Sequence, residues 1–234
     1  MLGEAVIGSV GGAAALMAYA VRAPSSSLFG PSVYRGSAGR RSIALTFDDG
    51  PSEATPEIIA ILGRYNVHAT FFQCGANIRR LPGIAVEVLA AGHEIGNHTD
   101  THPYLCFRTA DLIKREFYQA QLTIQEVLGQ SPTLMRAPFG IRWFGFRSVQ
   151  QHLNLLGVMW SVIGNDWKLG PREIASRLLK GARNGAIFCL HDGRELHPTP
   201  GRSSTADALN LVIPNLLDQG FQFETVSHIL CPKN

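Results

Sequence analysis

Cysteine is scarce in this chain: only Cys74, Cys106, Cys189 and Cys231 occur in 234 residues, and no two have C-x-x-C spacing. That argues against a cysteine-based structural zinc site and against a disulfide-stapled scaffold. It leaves the redox compartment open, and Cys74 and Cys189 read as buried strand residues. Charge is sparse too, at 17% charged residues and a net +3. No Lys/Arg run is interleaved with aromatics, so nucleic acid is not indicated as a partner. No internal repeat is found. What remains is a chain that is 45% hydrophobic, a size and composition that suit one large domain, and α/β barrels of this length are ordinary.

Residues 5–21 contain no charge and are rich in Ala, Gly, Val, Leu and Met. Seventeen residues lie at the lower edge of a membrane span. A secretory signal core is the second reading, but Met1–Glu4 lacks basic residues. A helix packed on the domain or on a partner is the third. The first reading for residues 1–22 is a membrane anchor or its remnant, with the protein at the cell envelope or membrane-associated. The basic residues that follow, Arg22, Arg35, Arg40 and Arg41, would instead keep the domain cytoplasmic. Residues 23–41 are small, polar and rich in Pro and Gly, and read as a linker or strap.

Residues 42–234 read as one catalytic domain. Strand signals at 43–47, 69–74, 94–97, 133–136, 158–162, 186–190 and 221–225 alternate with helical ones. The helical signals are at 54–65, 82–91, 110–128, 146–156, 171–180 and 206–219. Such alternation implies parallel strands with outer helices. The fold class expected is therefore α/β, a distorted, incomplete (β/α) barrel of about seven strands. Its chemistry should lie at the strand C-termini. Asp48 and Asp49, Cys74, His98, Arg136 with Pro138, Asp166 and His191 all stand there.

The run Thr46-Phe47-Asp48-Asp49-Gly50-Pro51 is the most telling of these. Two adjacent carboxylates after an apolar strand lose hydration and repel each other, so a cation or strong donors should accompany them. His98 and His102 are spaced i, i+4, which on one helical turn puts both imidazoles on the same face. Two histidines with one strand-end Asp can hold one side of a divalent ion and leave positions open for water and substrate. One Asp would bind the metal and the other would act as base toward water; spacing does not say which. His191 suits proton donation near neutrality, and Asp166 could fix its tautomer. Arg136 can pair with a carboxylate. His68, His93, His152, His197 and His228 read as structural or surface histidines.

In order and spacing, Thr46–Pro51, His98–Pro103, Arg136-Ala137-Pro138-Phe139, Asp166-Trp167 and Leu190-His191-Asp192 resemble the five motifs of the polysaccharide deacetylases of carbohydrate esterase family 4. The resemblance covers about residues 41–228. It implies a distorted barrel and metal-dependent hydrolysis of N-acetyl groups on a glycan containing N-acetylglucosamine, with acetate released. It further implies Asp48 as base, Arg136 as its partner, and His191 as acid supported by Asp166. Asp49, His98 and His102 would hold a divalent metal, most often zinc, with cobalt or nickel as alternatives. Pro138, Phe139, Trp167, Cys189 and Leu190 would meet the substrate, with a backbone N–H near Phe139 toward the oxyanion. Three positions depart from the pattern: Phe139 for Tyr, Ile163 for an earlier Asp, and Cys189 for a larger apolar residue of the acyl pocket. Two other functions compete. One is deacylation or deformylation of a lipid-linked or small amino sugar; the other is sugar binding without catalysis.

Overall fold

The computed structural model describes residues 2–231, with side chains described from residue 12 onward. Helix α1 (Leu2–Arg22) is followed by β1 (Ser32–Val33), β2 (Ser42–Asp48), α2 (Thr55–Arg64), β3 (Thr70–Gln73), α3 (Gly75–Arg80), α4 (Pro82–Ala90) and β4 (Glu94–Asn97). Next come α5 (Ala110–Leu128), β5 (Leu134–Met135), α6 (Phe146–Leu153), β6 (Leu156–Val158) and β7 (Val162–Ile163). The chain then runs through α7 (Pro171–Gly181), β8 (Ala186–His191), α8 (Ser203–Asp218), β9 (Gln222–Phe223) and α9 (Val226–Leu230).

The strands form one sheet in the order β1-β6-β5-β4-β3-β2-β8-β7, with β9 pairing to β2. Every pairing between these strands is parallel. Sheet order puts β6 near one end and β7 at the other, yet only residues 159–161 separate them in the chain. The sheet therefore curls until its ends nearly meet, which is the incomplete barrel expected. Nine strands form where seven were expected. The extra ones are β1, inside the segment read as a strap, and the split of 158–162 into β6 and β7. The split occurs because residues 159–161 cross the seam: Met159 N–H donates to Val33 O at 2.6 Å and Ser161 N–H to Ile187 O at 3.0 Å.

Side-chain parity sorts the core. On β2, Ile43, Leu45 and Phe47 point to the outer layer, where they pack with Ile58, Ile61 and Leu62 of α2 and Leu209, Val212 and Ile213 of α8. Ala44 points the other way, into an apolar plug with Phe72, Val158, Ile187 and Ile229. Strand side chains alternate, so Thr46 and Asp48 share the inner face with Ala44 and stand above that plug. The same period puts Ile187, Cys189 and His191 inside on β8. Register fixes the level: Thr46 pairs with Cys189 and Asp48 with His191. The base of the site is thus dry and hydrophobic, and its rim is polar.

Among the described residues no helix is long and apolar enough to cross a membrane. Of the anchor expected over 5–21, residues 5–11 have side chains outside the description, and residues 12–19 are exposed. Its described end is joined to the domain. Ala20 and Val21 pack with Phe29, Ile113, Phe117 and Phe146. The buried Arg142 donates through its guanidinium to the carbonyls of Ser26 and Ala23, and through its backbone N–H to that of Val21.

Candidate active site

The strand ends converge as parity requires. Asp49 is the first residue beyond β2 and takes φ 75°, a left-handed conformation that turns its carboxyl off the strand axis. Its Oδ1 lies 3.3 Å from Nε2 of His98 and 3.0 Å from Nε2 of His102. The two imidazoles do not share a helical turn, contrary to the reading of their spacing. Thr99 and His102 adopt φ 70° and 57°, and the segment after β4 is a loop. Asn97 Oδ1 accepts from Thr99 N–H at 3.0 Å, and Thr99 Oγ1 accepts from His102 N–H at 3.1 Å. These short side-chain bonds close the loop and bring the ring centroids to 5.0 Å.

His98 Nδ1 lies 2.8 Å from the carbonyl oxygen of Arg136. A carbonyl only accepts, so Nδ1 carries the proton. Nε2 then either bears a second proton or presents its lone pair. A bare lone pair facing a carboxylate oxygen is repulsive unless a cation lies between them. Asp49, His98 and His102 offer their ligand atoms within 4.8 Å of one another, all buried. This donor set, one carboxylate and two imidazoles, fits a divalent ion. Burial pushes the Asp49 carboxyl up, but hydrogen bonds from His102 and His98 outweigh it and hold the group well below the usual carboxylate range.

Asp48 belongs to a second cluster. Arg136, fully buried, donates from Nη1 to Asp48 Oδ1 at 2.6 Å and to Thr46 Oγ1 at 2.7 Å. It also donates from Nε to Val158 O and from Nη2 to Met159 O, with its guanidinium 4.1 Å from the Phe72 ring centre. The Cys189 thiol reaches Asp48 Oδ2 at 3.5 Å. Burial, together with the charges of Asp48 and Asp166, pushes that thiol well above its ordinary pKa, so it donates as S–H.

His191 Nδ1 lies 2.8 Å from Asp166 Oδ1, and its backbone N–H donates to Asp166 Oδ2 at 2.9 Å. Thr205 Oγ1 donates to the same oxygen at 2.8 Å. Burial opposes charge on His191, but Asp166, with Asp49 and Asp48, pushes its pKa up to about 9. Burial likewise raises Asp166, and the charge and hydrogen bond of His191 more than offset it, leaving that carboxyl below its ordinary value.

A cavity of about 320 Å3 opens over these groups. Asp48, Asp49, His98, His102, Phe139, Trp167, Cys189 and His191 line it, so the structure brings together eight of the residues expected from sequence. Arg136 and Asp166 do not line it and sit behind Asp48 and His191. Two expected substrate contacts stand elsewhere. Leu190 has opposite parity to Cys189 and His191 and packs in the outer core, and Pro138 is buried off the cavity wall. Phe139, at φ 57°, is half-exposed with its ring 4.7 Å from His102. Ile163 lines the cavity, so an apolar wall stands where an acid was looked for.

Sequence reasoning missed Trp160 and Arg22, which also line the cavity, and Asp192. Asp192 closes the Leu190-His191-Asp192 motif without an assigned role; it is fully buried and its Oδ2 accepts from Thr55 Oγ1 at 2.7 Å. Its carboxylate lies against Gly50, where a Cβ would come within 2.1 Å of Oδ2. Burial first, and then the Asp49 and Asp48 charges, push its pKa up to about 7.

A parallel, nearly closed barrel with a carboxylate–imidazole cluster on its strand-end rim defines a class of α/β proteins that place metal chemistry at the barrel mouth. The family model described as polysaccharide deacetylase matches residues 35–158, and the chain belongs to that family. It is 34% identical over 206 residues to the peptidoglycan-N-acetylglucosamine deacetylase PgdA of Listeria monocytogenes, covering 87% of this chain and 42% of that protein. The chain thus spans less than half the length of that relative. It is 35% identical to a chitooligosaccharide deacetylase of a Bradyrhizobium strain, covering 84% of this chain and 94% of that one. Among solved structures, the peptidoglycan N-acetylglucosamine deacetylase Bc1960 superposes with a TM-score of 0.80 at 30% identity, over 85% of this chain and 92% of that one. A CE4 family pseudoenzyme from Bacillus anthracis superposes with a TM-score of 0.78 at 26% identity, over 86% and 69%.

Proposed function

We propose that this protein hydrolyses the N-acetyl amide of an N-acetylglucosamine-containing glycan, peptidoglycan or a chitin-like chain, and releases acetate at the cell envelope. The observation that carries this is the pairing of Asp48 with His191 across β2 and β8, directly beside the Asp49–His98–His102 cluster. Peptidoglycan and chitooligosaccharide deacetylases among the relatives support the substrate class.

Asp49, His98 and His102 would hold the divalent ion, zinc by the ligand set. Bound there, it would polarise the acetyl carbonyl and lower the pKa of water. Asp48 accepts the proton of the attacking water, and Arg136 keeps that carboxylate oriented. A backbone N–H near Phe139, which lines the cavity, would serve the carbonyl oxygen as charge builds on it. His191, protonated and held by Asp166, gives its proton to the amine nitrogen as the C–N bond breaks. Products are acetate and the free amino sugar. Trp167, 45% exposed, offers an indole face to a pyranose ring.

Metal content and acetate release from chitooligosaccharides test this, with N-formyl substrates assayed in parallel. His98→Ala should lose metal and activity together. His191→Ala should keep the metal and slow turnover about 10²–10⁴-fold, the usual contribution of a positioned acid. Full turnover in either variant removes its assignment. A metal-loaded native protein that releases neither acetate nor formate, and binds sugar no differently from Asp48→Ala, points to a non-catalytic binder.

A further inference from the structure

The cavity over the metal cluster shares part of its wall with a second hollow. Trp160 and Ile163 line both the cavity and this wider depression of about 750 Å3 between β7 and α7. Arg172, Arg177, Lys180 and Arg183 line that depression, with Glu173 the one carboxylate among them. Arg22 lines the metal cavity and Pro24 the depression, so the chain leaving α1 flanks both.

Seven cations, Arg194 and Arg202 included, thus border the trough formed by these two adjoining hollows, against two carboxylates, Glu173 and Glu195, away from the reacting groups. The local excess is larger than the +3 of the whole chain. Glu173 already accepts from Gly170 N–H at 3.0 Å as a helix cap, and Arg177 Nε donates to Ile163 O at 2.6 Å. Arg22, Arg172, Lys180 and Arg183 form no ion pair among the described residues. A helix face turned only to solvent gains from mixed charge, and like charges gathered this closely repel. These gather along a concave path that leads to the reacting groups and is floored by a partly exposed tryptophan. Charge of one sign along a cleft concentrates ligands of the opposite sign.

We propose that this trough binds acidic substituents, carboxylate or phosphate, on the sugars flanking the one that is deacetylated. The preferred substrate is then an acidic N-acetylated glycan and not a neutral one. This rests on the deacetylase reading above.

The test compares three oligosaccharides of equal length: a neutral N-acetylglucosamine oligomer, one alternating with carboxylate-bearing N-acetylmuramic acid, and one bearing sugar phosphates. With the metal-loaded protein at low salt, KM for an acidic oligomer should be about 5–10-fold below that for the neutral one. The difference should vanish near 1 M salt, where the Debye length is about 3 Å, while kcat stays level. Whichever acidic oligomer shows the effect identifies the substituent. Arg172→Glu with Lys180→Glu and Arg183→Glu should remove the preference and leave neutral-substrate turnover unchanged. Tryptophan fluorescence on the metal-free protein reads binding without turnover and separates failure of the trough from failure of the chemistry. If the charge-reversed protein does not fold, the salt dependence of the native chain decides. Equal, salt-insensitive KM and binding for all three oligomers overturn the proposal. So does binding of anionic lipid vesicles with no preference among the glycans.

Discussion

Arg136 shows at the level of one side chain how polar groups of this site are accommodated while buried. A guanidinium with no exposure needs its donors satisfied, and it finds Asp48, Thr46 and the carbonyls of Val158 and Met159. Those carbonyls belong to the end of β6 and the seam crossing, so the same residue that holds Asp48 also ties the barrel's ends. Lysine cannot reproduce this fork. Arg136→Lys should therefore lower acetate release at least 10²-fold while metal content stays near native, and a fully active variant would show that Asp48 needs no such partner. Truncation to Ala strands a buried carboxylate and should cost about 3–5 kcal/mol in urea unfolding. The ionisable residues of the site were legible because each follows an apolar strand, a position no packing argument explains. The burial of Asp192 was not, because its partner Thr55 and its neighbour Gly50 are 137 and 142 positions away. Leu190 was misplaced because a motif lists consecutive residues while a strand gives alternate ones to the site.

At the level of elements, alternating strand and helix signals gave the barrel, since long amphipathic patterns survive any tertiary context. Helix α5 is the clearest case: Thr109 caps its start by accepting from Leu112 N–H at 3.3 Å, and Gly129 ends it at φ 68°. Elements made by tertiary contact were invisible. Strand β1 has two residues and exists because β6 offers an edge, and α3 is a six-residue helix with no period to read. The His98–His102 loop belongs here too, because left-handed backbone at Thr99 and His102 leaves no trace in spacing. The N-terminal strap depends on one residue of this kind. Arg142 donates to the carbonyls of Ala23 and Ser26, which no described residue outside the strap would satisfy in its place. Arg142→Ala should strand the Ser26 carbonyl at about 1–3 kcal/mol, whereas the Ala23 carbonyl keeps the Ser26 N–H. The strap should then exchange its amide protons faster and be cut sooner by protease than the barrel. Unchanged exchange over residues 20–30 would show that Val21 and Phe29 hold it by packing alone.

For the whole molecule, the buried charges set how stability follows pH, and the sign differs between groups. Burial raises Asp192 to about 7 from an ordinary 3.8, so its contribution is present below about pH 4 and is lost as pH rises through 7. His191, raised to about 9 from 6.5, contributes below about pH 6.5 and loses that as pH rises through 9. Asp49 and Asp166 are lowered, so theirs is present above about 3.8 and is lost as pH falls through their folded values. With the metal chelated, these four groups place maximum stability near pH 4–5, on the acid side of the usual range of about 5–8. Each titrating proton contributes at most about 1.4 kcal/mol per pH unit to the decline above it. A divalent ion requires deprotonated ligands and binds only the folded chain, so its stabilisation grows with pH and moves the maximum toward neutrality. Urea unfolding from pH 4 to 9, with and without chelator, reads both profiles. Asp192→Asn should flatten the chelated profile between pH 4 and 7 and leave the fall between 7 and 9, whereas Asp166→Asn should act on the upper limb. A chelated profile already flat from pH 5 to 9 would mean that neither buried group differs in proton affinity between the folded and unfolded chain.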